Sequence, residues 1–145
     1  MSSPRAVYIE AIADCLRAIN GSPYQTNAGQ YVTTEPVPVA DEEDDHPFLA
    51  VVWAGSVKPT EAAAQRDKRL TTVQVLGKLP APVGEAQERM DQLQQDIEDA
   101  LRNQQGRFPN GYQFPQFVSA EPLGAKARQG WVGVLVTFTG HIPIR

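Results

Sequence analysis

One acidic stretch of the chain has the side chains that could hold a metal ion. Its six consecutive residues are Asp41, Glu42, Glu43, Asp44, Asp45 and His46. Hard cations such as calcium bind several carboxylate oxygens, and His is a common zinc ligand. The stretch lacks the alternating carboxylates and the glycine of an EF-hand loop. We therefore interpret it as a solvated acidic loop. A small metal-binding α+β module that uses Asp41 to His46, with His141 as a further ligand, is the alternative.

The remaining candidates for catalysis are weak. No serine of the sequence lies in a nucleophile elbow, and the pair Gly77-Lys78 runs into Leu79-Pro80, which cannot cradle a phosphate. The single cysteine, Cys15, lies in the middle of an apolar helix face, so we interpret it as a small buried hydrophobe. The sequence predicts no catalytic residue, no resident metal and no cofactor, and hence a protein that is not an enzyme.

A cluster of aromatic residues near Arg107 could stack on single-stranded bases. Its members are Phe108, Tyr112, Phe114 and Phe117. Lys and Arg do not alternate with them, as they would in a nucleic-acid groove. Core packing or contact with another protein is the favoured interpretation.

Composition limits the class of protein. The chain has 145 residues, 41% hydrophobic and 21% charged, with a net charge of -4. These values predict a single soluble domain, spanning 1–145, and they disfavour broad binding to nucleic-acid phosphates. No apolar run is long enough to span a membrane, and the first residues do not resemble a signal peptide. A lone cysteine is typical of a reducing compartment.

The charge is segregated along the chain into blocks of one sign. The acidic loop is followed by a basic segment and then by a second acidic block from Glu85 to Arg102, after which the chain is basic again. The basic segment contains Lys58, Arg66, Lys68, Arg69 and Lys78. Such blocks are typical of surfaces that meet complementary surfaces.

The hydrophobic pattern predicts two helices and four or five strands. The predicted elements are a helix over Arg5–Ile19, strands over Tyr31–Glu35, Phe48–Ala54 and Leu70–Gly77, a helix with its apolar stripe from Ala86 to Leu101, and strands over Phe117–Ala120 and Trp131–Thr139. This order predicts a two-layer α+β domain with a mostly antiparallel sheet packed against two amphipathic helices.

Two tryptophans lie on predicted strands. The nearly continuous apolar run Phe48–Ala54 predicts burial on both faces, and therefore a central strand or an oligomer contact. Trp53 in that run and Trp131 in the last strand are predicted to be core or subunit-interface anchors.

The element order resembles the tail terminator (tail completion) proteins of long-tailed bacteriophages. The resemblance covers nearly the whole chain and rests on pattern and order, without a diagnostic motif. It includes the N-terminal helix ending at Asn20-Gly21, the strand Tyr31–Glu35, the proline-rich acidic link, the strands Phe48–Trp53 and Leu70–Gly77, the helix with Gln92–Leu101, and the final strand ending near Phe138. Other head–tail joining and minor tail proteins share this layout and are the alternative within structural proteins.

The resemblance implies a structural virion protein without catalytic residues or cofactor. Such a protein forms a homohexameric ring that caps the finished tail tube, stops its polymerisation and offers a joining surface to the head connector or neck protein. DNA only passes through its lumen, and no membrane is involved. The expected location is the head-proximal end of the tail in the virion, with the host cytoplasm as the place of assembly.

A head-to-tail ring needs two complementary patches on each subunit. The candidate interface residues are Asp41, Glu42, Glu43, Asp44, Asp45, Trp53, Arg66, Lys68, Arg69 and Trp131. The acidic loop and the basic residues are expected either to meet across the subunit interface or to line opposite ring faces. In a second arrangement the acidic loop faces the lumen, where negative charge would repel passing DNA.

Overall fold

The described part of the chain forms two α-helices and five β-strands. The computed structural model describes residues 3–34, 47–60, 67–81, 84–123 and 131–144; for Leu123 and Trp131 it describes the backbone only. In chain order the elements are α1 (Pro4–Leu16), β1 (Val32–Thr33), β2 (Phe48–Val57), β3 (Lys68–Pro80), α2 (Ala86–Leu101), β4 (Gln116–Leu123) and β5 (Trp131–Pro143).

The five strands form one open sheet in the order β1-β2-β3-β5-β4. β1 runs parallel to β2, and every other neighbouring pair is antiparallel. The predicted α+β class, with a mostly antiparallel sheet and two helices, is confirmed.

Both helices pack on the same face of the sheet and bury one main core with it. Residues directly opposite each other on neighbouring strands share a face, so the register identifies the strand residues that point toward the helices. The core is built from Tyr8, Ile12 and Leu16 of α1, Leu93 and Ile97 of α2, and Leu49, Val51, Val73, Val75 and Val136 of the sheet. A smaller cluster on the opposite face contains Phe48, Ala50 and Leu76.

A glycine on β3 allows α2 to approach the sheet closely. A Cβ at Gly77 would lie 2.9 Å from Cδ2 of Leu93 and 3.0 Å from Cδ2 of Leu49. Real Cβ atoms do not come this close to neighbours in a packed interior. Leu93 belongs to the predicted stripe of α2 and is fully buried, whereas Ala86, predicted in the same stripe, is exposed.

The first helix ends earlier than its apolar pattern predicts. Ser3 caps its start, with Oγ accepting a hydrogen bond from the Ala6 N–H at 3.1 Å. The helix ends at Leu16, and the prediction of Ile19 as its last residue is wrong. The Gly29 N–H donates to the Ile19 carbonyl at 2.7 Å, so the returning chain binds the segment that would have continued the helix. Ile19 is nevertheless buried, and this explains why the apolar period extends past the helix end.

Among the described strands, β2 has a neighbour on both sides over its first half and on one side over its second. Phe48 to Val51 are all buried, as the apolar run predicts. β1 pairs with β2 only at Leu49 and Ala50, so among the described strands nothing lies outside the rest of β2. A central position is therefore wrong for Trp53, because a two-residue neighbour is too short to cover it.

The side chain of Tyr8 lies inside an aromatic cluster with its hydroxyl against the backbone of β5. Its ring centroid is 5.7 Å from that of Phe108 and 6.3 Å from that of Tyr112. The hydroxyl lies beside Gly140 and has no hydrogen-bond partner among the described residues. Burial raises the pKa of the Tyr8 phenol well above its usual value.

Replacing Tyr8 with phenylalanine is expected to raise the free energy of unfolding by about 1 kcal/mol, because the variant no longer buries an unsatisfied hydroxyl. Chemical denaturation of both proteins, followed by circular dichroism, measures the difference. A loss of stability of similar size would mean that the hydroxyl has a hydrogen-bond partner in the folded protein.

Candidate assembly surface

Several of the predicted site residues lie outside the described residues. These are the acidic residues Asp41, Glu42, Glu43, Asp44 and Asp45, together with His46 and Arg66. Within the described ranges, no group of three or more His, Cys, Asp or Glu side chains could hold a metal ion. His141, the other residue of the metal alternative, has its backbone N and its Nδ1 each 2.8 Å from Oε1 of Gln113.

Cys15 is buried among the apolar side chains of α1, as predicted. Burial raises the pKa of its thiol, although the positive charge of Arg107 acts in the opposite direction. A thiol in such surroundings is a poor nucleophile. The side chain therefore contributes to packing.

The basic residues Lys68 and Arg69 lie at one end of the sheet. They begin β3 and are paired with Pro143 and Ile142 at the end of β5. The guanidinium of Arg69 donates to the Lys68 carbonyl oxygen at 2.8 Å. Because β3 is the middle strand, these cations lie at the end of the strands and not along a lateral edge of the sheet.

Trp53 is half-exposed on the helix-facing side of β2 and is held in a fixed position. The residue is 46% exposed, and its Nε1–H donates to Oγ of Ser56 at 3.0 Å. Ser56 is hydrogen-bonded to the buried Thr71 hydroxyl at 3.1 Å. The guanidinium carbon of Arg5 lies 4.2 Å from the centre of the indole ring, a cation–π contact.

The two tryptophans do not form one patch. Trp53 lies opposite Val73 on β3, whereas the backbone of Trp131 lies opposite Pro80 at the other end of that strand. The side chain of Trp131 is outside the described part of the structure. Of the two predicted anchors, Trp53 is the one whose surroundings can be analysed.

The outermost strand on the other side of the sheet, β4, carries a second apolar surface. Phe117 is 49% exposed and Val118 is 53% exposed. The ring of Phe117 packs edge-on against Phe138 of β5, with their centroids 6.3 Å apart. The other aromatics near Arg107 behave differently, since all three belong to the core or pack against it: Phe108, Tyr112 and Phe114. Core packing is confirmed for those three, whereas Phe117 is exposed, and contact with another protein stays a prediction for it.

Two of the three exposed aromatics among the described residues, Trp53 and Phe117, are the ends of one row that crosses the sheet; the third, Tyr31, directly precedes β1. Trp53 lies opposite Val73, Val73 opposite Phe138, and Phe138 opposite Phe117. All four side chains therefore point to the helix-facing side at one level, with Trp53 and Phe117 at opposite edges. No short motif marks this row, because it depends on strand order and register.

The described charges near the two edges differ in sign. Arg5 contacts Trp53, and Lys58 follows the end of the same strand, five residues further along the chain. Beside β4, an open groove of about 250 Å³ runs between that strand and α2, with Asp91 and Glu121 in its walls. Among the described residues, the charges beside β2 are therefore cationic and those beside β4 anionic.

Comparison with known proteins adds no family to this description. No protein-family model matches the sequence, and no curated protein matches it significantly. Neither helix of the described residues is long and apolar enough to cross a membrane. The described residues form an α+β fold whose open sheet has an exposed aromatic side chain on β2 and another on β4.

Proposed function

We propose that this protein is a structural virion protein of the tail terminator type, which forms a homohexameric ring on the end of a phage tail tube. The observation that carries the proposal is the pair of half-exposed aromatics, Trp53 and Phe117, at opposite edges of a well-packed sheet. The order of helices and strands supports it, since it is the order on which the resemblance to this family rests.

The two edges differ in the way that a ring requires. A head-to-tail ring uses two unlike surfaces of each subunit, and closure leaves neither of them exposed. A tryptophan beside Arg5 on one edge and a phenylalanine next to the exposed Val118 on the other are two such unlike surfaces. An isolated monomer would leave both aromatics in water, which costs hydrophobic free energy.

In this proposal the cations at the end of the sheet, Lys68 and Arg69, lie on one face of the ring. Lateral contacts between subunits engage the sheet edges, so Lys68 and Arg69 at the strand ends would point along the ring axis toward the tube or the neck protein. This favours opposite ring faces over a direct meeting of the acidic loop with the basic residues. The acidic loop of residues 41–45 would line the other face or the lumen.

Deletion of the coding gene from its parental phage tests the function. We expect tails much longer than normal in electron micrographs, because nothing would stop tube polymerisation, and we expect few tails joined to heads. Expression of the wild-type chain from a plasmid should restore normal length. Tails of normal length that fail to join heads would instead identify a different head–tail joining protein, and normal virions would contradict both roles.

A further inference from the structure

We propose that copies of this chain associate edge to edge, with Phe117 and Val118 on β4 of one copy packed against Trp53 on β2 of the next. The contact is a specific site for a second copy of the chain. It rests on the proposed function only for the closure of the ring into six subunits.

Strand direction allows this contact between copies in the same orientation. β2, β3, β5 and β4 are successive antiparallel neighbours, so β2 and β4 run in opposite directions within one copy. When two copies stand side by side in the same orientation, β4 of the first is therefore antiparallel to β2 of the second. Antiparallel is also the arrangement of four of the five strands inside the sheet.

The register allows the contact without a step along the strands. Trp53 and Phe117 are the two ends of one row across the sheet. A neighbour placed at the same height brings its Trp53 against Phe117 and continues the row from copy to copy. A contact without an axial step is what a closed ring needs, whereas a step at each contact produces an open helical filament.

A β-bulge next to each aromatic limits the contact to this place. The ladder shifts register between Trp53 and Gly55 on β2, and between Phe117 and Ser119 on β4. Ala54 and Val118 are thus the extra residues of the two bulges. A bulge interrupts regular hydrogen bonding, so it hinders indiscriminate strand addition along an edge. Association then depends on the side chains beside the bulges.

The aromatic at the β2 edge is organised before binding. Ser56 and Arg5 hold the Trp53 ring through the hydrogen bond and the cation–π contact described above. A side chain that is already fixed loses little conformational entropy when a partner covers it. Tryptophan is among the residues that most often dominate the affinity of an interface.

The sign of charge favours unlike edges over like edges. Two β4 edges brought together would place Asp91 and Glu121 near their own copies, and two β2 edges would do the same with Arg5 and Lys58. Pairing β4 with β2 avoids both of these like-charge contacts, because Lys58 and Glu121 lie on opposite sides of the row that joins Trp53 and Phe117. Like charges at an interface suppress the wrong pairing.

The test is sedimentation velocity of purified variants over a wide range of protein concentration. Phe117→Asp disrupts the contact surface on β4, and Trp53→Asp disrupts the one on β2. Each variant leaves the other surface intact. We expect the wild type to form oligomers, and each variant to raise the dissociation constant at least about 30-fold, the effect of losing a dominant interface residue. Val118→Asp serves as a second β4 variant. Ile144→Asp is the matched control, because Ile144 is 42% exposed but lies beyond the end of β5.

Mixing the two edge variants separates this contact from other modes of association. A Phe117→Asp chain keeps its β2 edge and a Trp53→Asp chain keeps its β4 edge, so the mixture should form a species of two chains and stop there. Circular dichroism confirms that both variants are folded. A monomeric mixture, oligomers lost in only one of the two variants, or a wild type that is monomeric at every concentration would each overturn the proposed contact.

The outcomes for contact and function are distinguishable. Overlong tails in the deletion strain, together with variants that still form rings, would retain the function and reject the contact. Association that behaves as expected, together with normal virions in the deletion strain, would retain the contact and reject the function.

Discussion

Replacing Asp96 with alanine is expected to lower the free energy of unfolding by about 3 kcal/mol. Asp96 is 1% exposed on α2, and its carboxylate accepts hydrogen bonds from the backbone N–H groups of two residues in the loop after α1. The donor–acceptor distances are 3.0 Å for Gln25 to Oδ1 and 2.7 Å for Thr26 to Oδ2. Alanine would leave both N–H groups without their acceptor, and the Thr26 side of the loop is buried. Urea unfolding followed by circular dichroism measures the loss.

Asp99→Ala is the matched control for this prediction. Asp99 lies on the same helix and contacts Arg102 at 3.0 Å and Gln95 at 3.0 Å, both near the surface. Exposed pairs of this kind contribute little to stability, so a loss of about 0.5 kcal/mol or less is expected. Equal losses in the two variants would show that the Asp96 carboxylate does not tie the loop to α2.

Replacing Gly140 with alanine is expected to cost about 3 kcal/mol, because the new methyl group has no space. A Cβ built on Gly140 would overlap the Tyr8 hydroxyl, lie 2.9 Å from Cζ of the same ring, and lie 3.1 Å from the Gln113 carbonyl oxygen. Tyr8 is buried between α1 and the sheet and cannot swing away without disturbing Phe108 and Tyr112. Thermal and urea unfolding of the variant measure the effect.

A double-mutant cycle identifies the contact responsible. In a Tyr8→Phe background the most severe overlap is removed, while Cζ of the ring stays close, so Gly140→Ala should cost distinctly less there than in the wild type. Gly106→Ala is the control, since nothing lies within 4 Å of a Cβ at that position. An identical cost of Gly140→Ala in both backgrounds would assign the loss to the backbone and not to Tyr8.

The elements of secondary structure follow from local patterns. A few neighbouring residues were enough to predict each element. The helical period is seen in Tyr8, Ile12 and Leu16, and the strand alternation in Val132, Val134 and Val136. All six residues are buried. The ends of the strands were harder to predict from the sequence. β2 continues past Ala54 to Val57 although exposed residues follow there, because pairing with β3 through the bulge keeps the backbone extended.

The role of Asp96 could not be read from the helix pattern. An aspartate in the middle of a polar helix sequence is usually solvated. Its carboxylate oxygens accept backbone hydrogen bonds only because the tertiary structure brings Gln25 and Thr26 beside it. Those two residues are 70 or more positions away in the sequence. The same holds for Gly140, where the required absence of a side chain is set by a tyrosine near the start of the chain.

By itself the sequence determined the α+β class, the two apolar helix faces, the buried Cys15 and the segregation of charge, because these depend on residue type and short spacing. The tertiary structure decided which strands are edges and which residues share a row. It left Trp53, predicted to be a core or subunit-interface anchor, half-exposed, and it placed Phe117 at the same level on the other side of the sheet. The physical reason is that exposure at a sheet edge depends on which strand lies alongside, and strand order is a long-range property that no local pattern encodes.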